Sequence, residues 1–99
     1  MKVEIAFCSD ALVQRGYSVD HAEQTVRRAF GRFGLVCTVG ADGLTVHDRG
    51  DKDDFANLWR VLMALLRSDW FLDCAVKCVW HDDDGTSEDV LAQAWKLKR

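Results

Sequence analysis

Val3, Ile5 and Phe7 alternate with Lys2, Glu4 and Ala6, the two-residue period of a strand buried on one face. Ser9 to Gly16 has the ends of a short helical turn, with Ser9 placed to cap it and Gly16 to stop it. Beyond Tyr17 the period lengthens. Val19, Ala22, Val26, Ala29, Phe30 and Phe33 fall on one side of a helix, with Ser18 or Asp20 as its cap. Asp20 and Glu23 have capping-box spacing, and Gly34 marks the end. Leu35, Cys37 and Val39, then Leu44 and Val46, return to the strand period on either side of Gly40-Ala41-Asp42-Gly43, whose Asp-Gly step predicts a hairpin.

The second half repeats the alternation of elements. Asp51, Asp53 and Asp54 lead a helix carrying Phe55, Leu58, Trp59, Leu62, Leu65 and Leu66 at helical spacing. Leu72, Cys74, Val76, Cys78 and Trp80 alternate with Asp73, Ala75, Lys77 and Val79, predicting a last strand that buries two cysteines and a tryptophan on one face. Asp82-Asp83-Asp84-Gly85 breaks that strand. Thr86 or Ser87 then caps a final helix with Val90, Leu91, Ala94 and Trp95 inward. Lys96, Lys98 and Arg99 lie in its last turns, where the helix dipole favours cations.

The order β-α-β-β-α-β over about residues 1–81 resembles the ferredoxin-like fold. The resemblance implies an α+β domain with a four-stranded antiparallel sheet of order 4-1-3-2, both long helices on one face and an extra C-terminal helix. The other face is open unless the last helix covers it. A chain of 99 residues has room for one core, so residues 1–99 form a single α/β domain. Fold alone implies no activity.

Charge narrows the partners. The net charge is −3 with basic residues dispersed, so a general affinity for nucleic-acid phosphates is not expected. Arg27, Arg28 and Arg32 form a local basic stripe, read either as a solvated helix face or as a second, basic contact surface. No segment has the ~20 apolar residues of a membrane span or the pattern of a signal peptide, which predicts a cytoplasmic protein without membrane contact. Cys8, Cys37, Cys74 and Cys78 form neither a CxxC pair nor a dense disulfide framework and are expected as reduced, mostly buried thiols. Read as i and i+4 in a strand, Cys74 and Cys78 stand roughly 13 Å apart, too far to bridge.

Candidate chemistry is sparse. His47 and His81 fall near the carboxyl ends of the third and fourth strands, on the open face, with one strand between them. Two spacings of ~4.8 Å are too wide for one metal. Cys8 sits at the opposite end of the sheet, and His21 in a first helical turn is solvent-facing. The His81-Asp82-Asp83-Asp84 run lacks the ligand spacing of an EF-hand. There is no nucleophile elbow, P-loop or dinucleotide fingerprint. No catalytic residue, cofactor or metal site is therefore assigned. RNA-binding relatives of this fold stack bases on aromatic residues, but the corresponding positions here are Lys2, Glu4, Ala6, Thr45 and His47.

The acid remains. Asp48 to Asp54 follows the third strand and Asp82 to Asp89 follows the fourth, and parallel strands bring both to one end, about 10 Å apart. Asp48, Asp51, Asp53, Asp54, Asp82, Asp83, Asp84, Glu88 and Asp89 then form a negative surface for a protein partner with a basic face. The same acids also favour helix N-termini. A small, acidic, proline-free domain of this kind resembles the phage-encoded anti-CRISPR proteins, several of which present carboxylates in place of DNA. That resemblance implies a non-enzymatic inhibitor, acting in the host-cell cytoplasm, that meets a type I CRISPR effector subunit and blocks target-DNA access. The alternative is a ferredoxin-like regulatory module that binds a small molecule as a dimer. A third expectation, an enzyme with a site assembled across a dimer, lacks any poised residue.

Overall fold

A computed structural model of the chain describes residues 1–41 and 43–98, with the side chain of Lys98 excluded; Asp42 in the expected hairpin turn and Arg99 lie outside the described residues. The elements are β1 (Lys2–Phe7), α1 (Ser9–Gln14), α2 (Val19–Gly31), β2 (Val36–Gly40), β3 (Gly43–His47), α3 (Asp54–Leu66), α4 (Asp69–Cys74), β4 (Ala75–His81), β5 (Ser87–Asp89) and α5 (Val90–Lys98). The five strands form one antiparallel sheet of order β2-β3-β1-β4-β5. The expected 4-1-3-2 order is present in this sheet, extended at one edge by a fifth strand.

The helices pack on a single face. Val3 and Ile5 of β1, Leu44 and Val46 of β3, and Cys78 and Trp80 of β4 are buried against Val26 and Phe30 of α2, Leu58 and Leu62 of α3, and Val90 and Leu91 of α5. Burying each such Leu or Phe side chain stabilises by about 1.5–3 kcal/mol. Because α5 joins this face, the opposite side of the sheet, carrying Glu4, Thr45, His47, Lys77 and His81, is left without a helix among the described residues. A smaller cluster of Leu12, Ala22 and Cys74 ties α1, α2 and α4 together at one end.

Local chemistry accounts for the boundaries. Ser18, not Asp20, caps α2, its Oγ accepting the His21 N–H at 3.1 Å. Gly34, at φ +75°, follows the helix and lets the chain turn into β2. Asp89 Oδ1 accepts the Ala92 N–H at 3.0 Å, so α5 is capped by Asp89 and begins at Val90. Thr86 and Ser87, the expected caps, lie before it, and Ser87 is already part of β5. Trp95, expected inward, is exposed. So is Phe55, which sets its ring edge-on to Trp80, 5.8 Å between centroids.

The last long strand is shorter than its alternation suggests. Leu72 and Cys74 belong to α4, so Cys74 and Cys78 are not i and i+4 of one strand. Pairing of β1 with β4 runs Ala6 with Lys77 and then Phe7 with Ala75, skipping Val76 in a bulge. That skip inverts the facing: Ala75 is buried while Val76, expected in the core, is 63% exposed. The four cysteines are unpaired; Cys74 and Cys78 are buried and Cys8 and Cys37 half-buried.

One glycine is set by its neighbours. Gly43 opens β3 at φ +127°, and a Cβ there would meet Ile5 O at 2.3 Å and Ala6 Cα at 3.1 Å. The backbones of β3 and β1 approach too closely for a side chain. Gly43→Ala should therefore destabilise by roughly 2–4 kcal/mol. Gly16→Ala, at φ +80° with nothing within 4 Å of the added carbon, should cost only about 1–2 kcal/mol. Urea unfolding of both variants checks this, and equal losses contradict the close approach.

Candidate functional site

β1 lies between β3 and β4 and runs opposite to both, so the carboxyl ends of β3 and β4 emerge at the same end of the sheet. Lys2 pairs with His47 on one side and with His81 on the other. The histidines are thus two strand spacings apart, as the topology predicts. Beyond them, the Met1 α-amine lies 3.3 Å from Asp48 Oδ1 and also pairs with Asp83. Its pKa is raised, chiefly by the Asp83 hydrogen bond, against an opposing effect of burial, with Asp48 adding to the rise. Met1, Lys2, His47, Asp48, His81, Asp82 and Asp83 line a shallow depression of about 290 Å³ between the two acidic loops.

The acids divide by what they hold. Asp54 is fully buried, and its Oδ2 accepts the N–H groups of Arg49 at 2.6 Å and Asp51 at 3.2 Å. The Arg49 guanidinium stands 3.5 Å from Oδ1 and donates to Phe33 O at 3.1 Å, tying the end of α2 to the start of α3. Loop 49–53 wraps the carboxylate and excludes solvent from it. The Arg49 N–H first, then the Asp51 N–H and the Arg49 charge, hold its carboxyl below the usual aspartate value, while desolvation opposes them. Asp54, placed by the sequence pattern on the negative surface, instead organises the loop beneath it.

Other carboxylates also serve turns while staying exposed. Asp51 Oδ1 accepts the Asp53 N–H, Asp82 Oδ1 the Asp83 N–H, and Asp84 Oδ1 both the N–H and hydroxyl of Thr86. Those two Thr86 bonds lower the Asp84 pKa. Asp48 is half-buried against the α-amine, and Asp89 is occupied as the α5 cap. Asp51, Asp53, Asp82, Asp83, Asp84 and Glu88 remain exposed. Arg27 and Arg28 of α2, and Arg32 just beyond its last turn, are all exposed.

Two features escaped the sequence pattern. On the open face Glu4 accepts from Lys77 Nζ at 3.0 Å, and His81 Nε2 stands 2.5 Å from Glu4 Oε1 without the alignment of a hydrogen bond. His81 Nδ1 meets Ser87 Oγ at 2.8 Å. Lys77 is the main cause of a lowered Glu4 pKa, opposed by burial and assisted by His81. Strand parity put these side chains on one face, but their neighbours depend on register. The second feature is an apolar cleft of about 450 Å³ between α3 and α5, lined by Trp59, Met63, Leu66, Leu72, Ala94 and Leu97 among others. Among the described residues no three His, Cys, Asp or Glu side chains converge as a metal set, and no helix is long and apolar enough to cross a membrane.

Fold and surface together define an α+β domain whose antiparallel sheet is covered by helices on one face and carries exposed carboxylates on two adjoining loops at one end. No family model matches the chain, and no curated protein or solved structure matches it significantly.

The Asp54 arrangement has a sign that can be tested. Its native carboxyl is more acidic than the ordinary value of 3.8. The stability it contributes is complete above that unfolded value and is lost as pH falls through the lower native one. At pH 7 Asp54→Ala, which leaves two N–H groups unanswered, should lower Tm by roughly 5 °C or more. Asp54→Asn should lose less, and its deficit should shrink below the ordinary aspartate pKa. Thermal melts across pH check this, and a deficit that grows with acid contradicts the assignment.

Proposed function

We propose that the domain is a non-enzymatic binding protein whose acidic end engages a basic protein surface of the kind that holds nucleic-acid phosphates. The observation that carries this reading is the convergence of the 48–54 and 82–89 segments at the ends of two parallel strands. Exposed Asp51, Asp53, Asp82, Asp83, Asp84 and Glu88 stand on those segments. Such a surface attracts clustered Lys and Arg at long range and sets orientation on approach. In its specific form the partner is a DNA-binding subunit of a type I CRISPR effector, and the domain acts as an anti-CRISPR protein by occupying the place of target DNA. The fold reading that accompanies it is a ferredoxin-like β1-α2-β2-β3-α3-β4 core with β5 and α5 added.

Asn at positions 51, 53, 82, 83 and 84 removes charge yet keeps an oxygen for the turn N–H groups. The fivefold Asp→Asn protein should melt cooperatively and bind purified type I effector complexes about tenfold or more weaker than the native protein at low salt. The difference should narrow as salt screens the native complex. Equal capture of both proteins contradicts the mechanism.

A second reading rests on the cleft between α3 and α5, whose volume of about 450 Å³ lies within the range of small-molecule sites. It assigns the domain to ligand-binding regulatory modules. Amino acids or nucleotides that occupy the cleft should raise Tm, because a ligand present at 100 times its Kd stabilises the native state by about 2.7 kcal/mol. Ala94→Trp, which fills the cleft, should abolish the rise. A rise that persists in that variant places the ligand elsewhere.

A further inference from the structure

The two edges of the sheet are built differently. β5 is three residues long and carries Glu88 and Asp89, a short charged edge that discourages further pairing. β2, at the other edge, reads Val36-Cys37-Thr38-Val39-Gly40, with no charge and no proline. Val36 and Val39 are 51% and 50% exposed. A five-residue uncharged edge with half-exposed valines is a template for another strand.

We propose that the occupant of this edge is β2 of a second copy, paired antiparallel about a two-fold axis at Thr38, so that the two sheets become one. This interface is independent of the acidic surface and of the α3/α5 cleft.

The register follows from the hydrogen bonds. The Asp48 N–H reaches Met1 O on β1, so the even-numbered residues of β3 turn their backbone groups toward β1 and the odd-numbered ones toward β2. Gly43, Thr45 and His47 pair with Gly40, Thr38 and Val36. The backbone groups of Cys37 and Val39 are therefore the ones directed outward. An axis at Thr38 sets Cys37 opposite Val39 of the second copy and Val39 opposite its Cys37, giving four inter-chain backbone hydrogen bonds. Cys37 and Val39 share the helix side of the sheet with Val46 and Leu44, so these contacts extend the core. On the open side the two Thr38 side chains meet, and each Val36 covers the bare backbone of a Gly40.

The helix above this edge is self-complementary in charge. α2 packs on β2, and Arg27 is near enough to the Cys37 thiol of β2 to act on it electrostatically. Glu23 is one turn earlier on the same flank of the helix, while Phe33 is packed into the core and beneath Arg60 of α3. Neither Glu23 nor Arg27 forms an ion pair within the described residues. Strand and helix rises of ~3.3 and ~1.5 Å put Thr38 level with about residue 25 of α2. A two-fold there sets Glu23 of one copy opposite Arg27 of the other, twice. One arginine of the basic stripe thereby gains a partner.

Sedimentation equilibrium of the native protein, up to ~200 µM, should show a reversible dimer with Kd on the order of micromolar, as befits a small interface. Val39→Lys, which keeps the intrachain pairing of β2, should weaken it about tenfold or more. Glu23→Arg and Arg27→Glu should each weaken it several-fold, and the double exchange should restore it. Circular dichroism and thermal melts of each variant establish that the fold is retained. Cysteines at position 38, directly opposite across the axis with Cα atoms about 4.5 Å apart, should form an inter-chain disulfide in Thr38→Cys under mild oxidation, whereas native Cys37 should not. A native protein that stays monomeric overturns the proposal. So does a dimer indifferent to Val39→Lys, or one that Thr38→Cys cannot crosslink.

Discussion

The hydrogen-bonded insertion of β1 between β3 and β4, antiparallel to each, constrains most of what surrounds it. It makes β3 and β4 parallel to one another, so each must be followed by a loop at the same end, and both loops are acidic. It separates His47 from His81 by the width of β1, with Lys2 between them. It also brings Ile5 O so close to the start of β3 that only glycine fits at position 43. On its core side β1 contributes Val3 and Ile5, and on its open side Glu4 gathers Lys77 and His81 from β4. A one-residue slip of β1 against either neighbour exchanges these two sets and exposes the core.

Much of this order was legible because the apolar periods are strong. The alternation of Val3 and Ile5, the helical spacing of Val26 and Phe30, and that of Leu58 and Leu62 each matched a buried face. Residues 72 to 80 were not, because an unbroken alternation of apolar residues looks the same whether or not it hides a helix end and a bulge. Leu72 is buried from α4, Ala75 and Cys78 from β4, and the skip at Val76 reconciles the two. β5 carries no apolar signal at all; its three exposed residues become a strand only because the edge of β4 is there to pair with.

The acidic loops show where composition stops being informative. Asp53 and Asp54 are adjacent and chemically identical, yet Asp53 is exposed while Asp54 is sealed by the N–H groups of Arg49 and Asp51. Which of the two turns inward depends on the path of the loop, and that path depends on Arg49 reaching Phe33 O beyond the end of α2. The same side chain lies over Gly34, whose φ of +75° is what favours glycine there; a Cβ would also meet Arg49 Nη1 at 2.6 Å. The carboxylates that satisfy backbone groups and those that face solvent are therefore intermixed. Under the proposed function the exposed set, on loops fixed by the buried and capping set, meets the partner without having to order first, which lowers the entropic cost of association.

Competition with DNA tests the proposed role most directly. A type I effector complex holding fluorescently labelled target DNA would be titrated with the protein while anisotropy reports the bound fraction. The account predicts that DNA is displaced in proportion to protein bound, and that the protein dose needed rises with the DNA concentration, because both occupy one basic surface. Binding of the protein with DNA retained, or no binding at all, would contradict it.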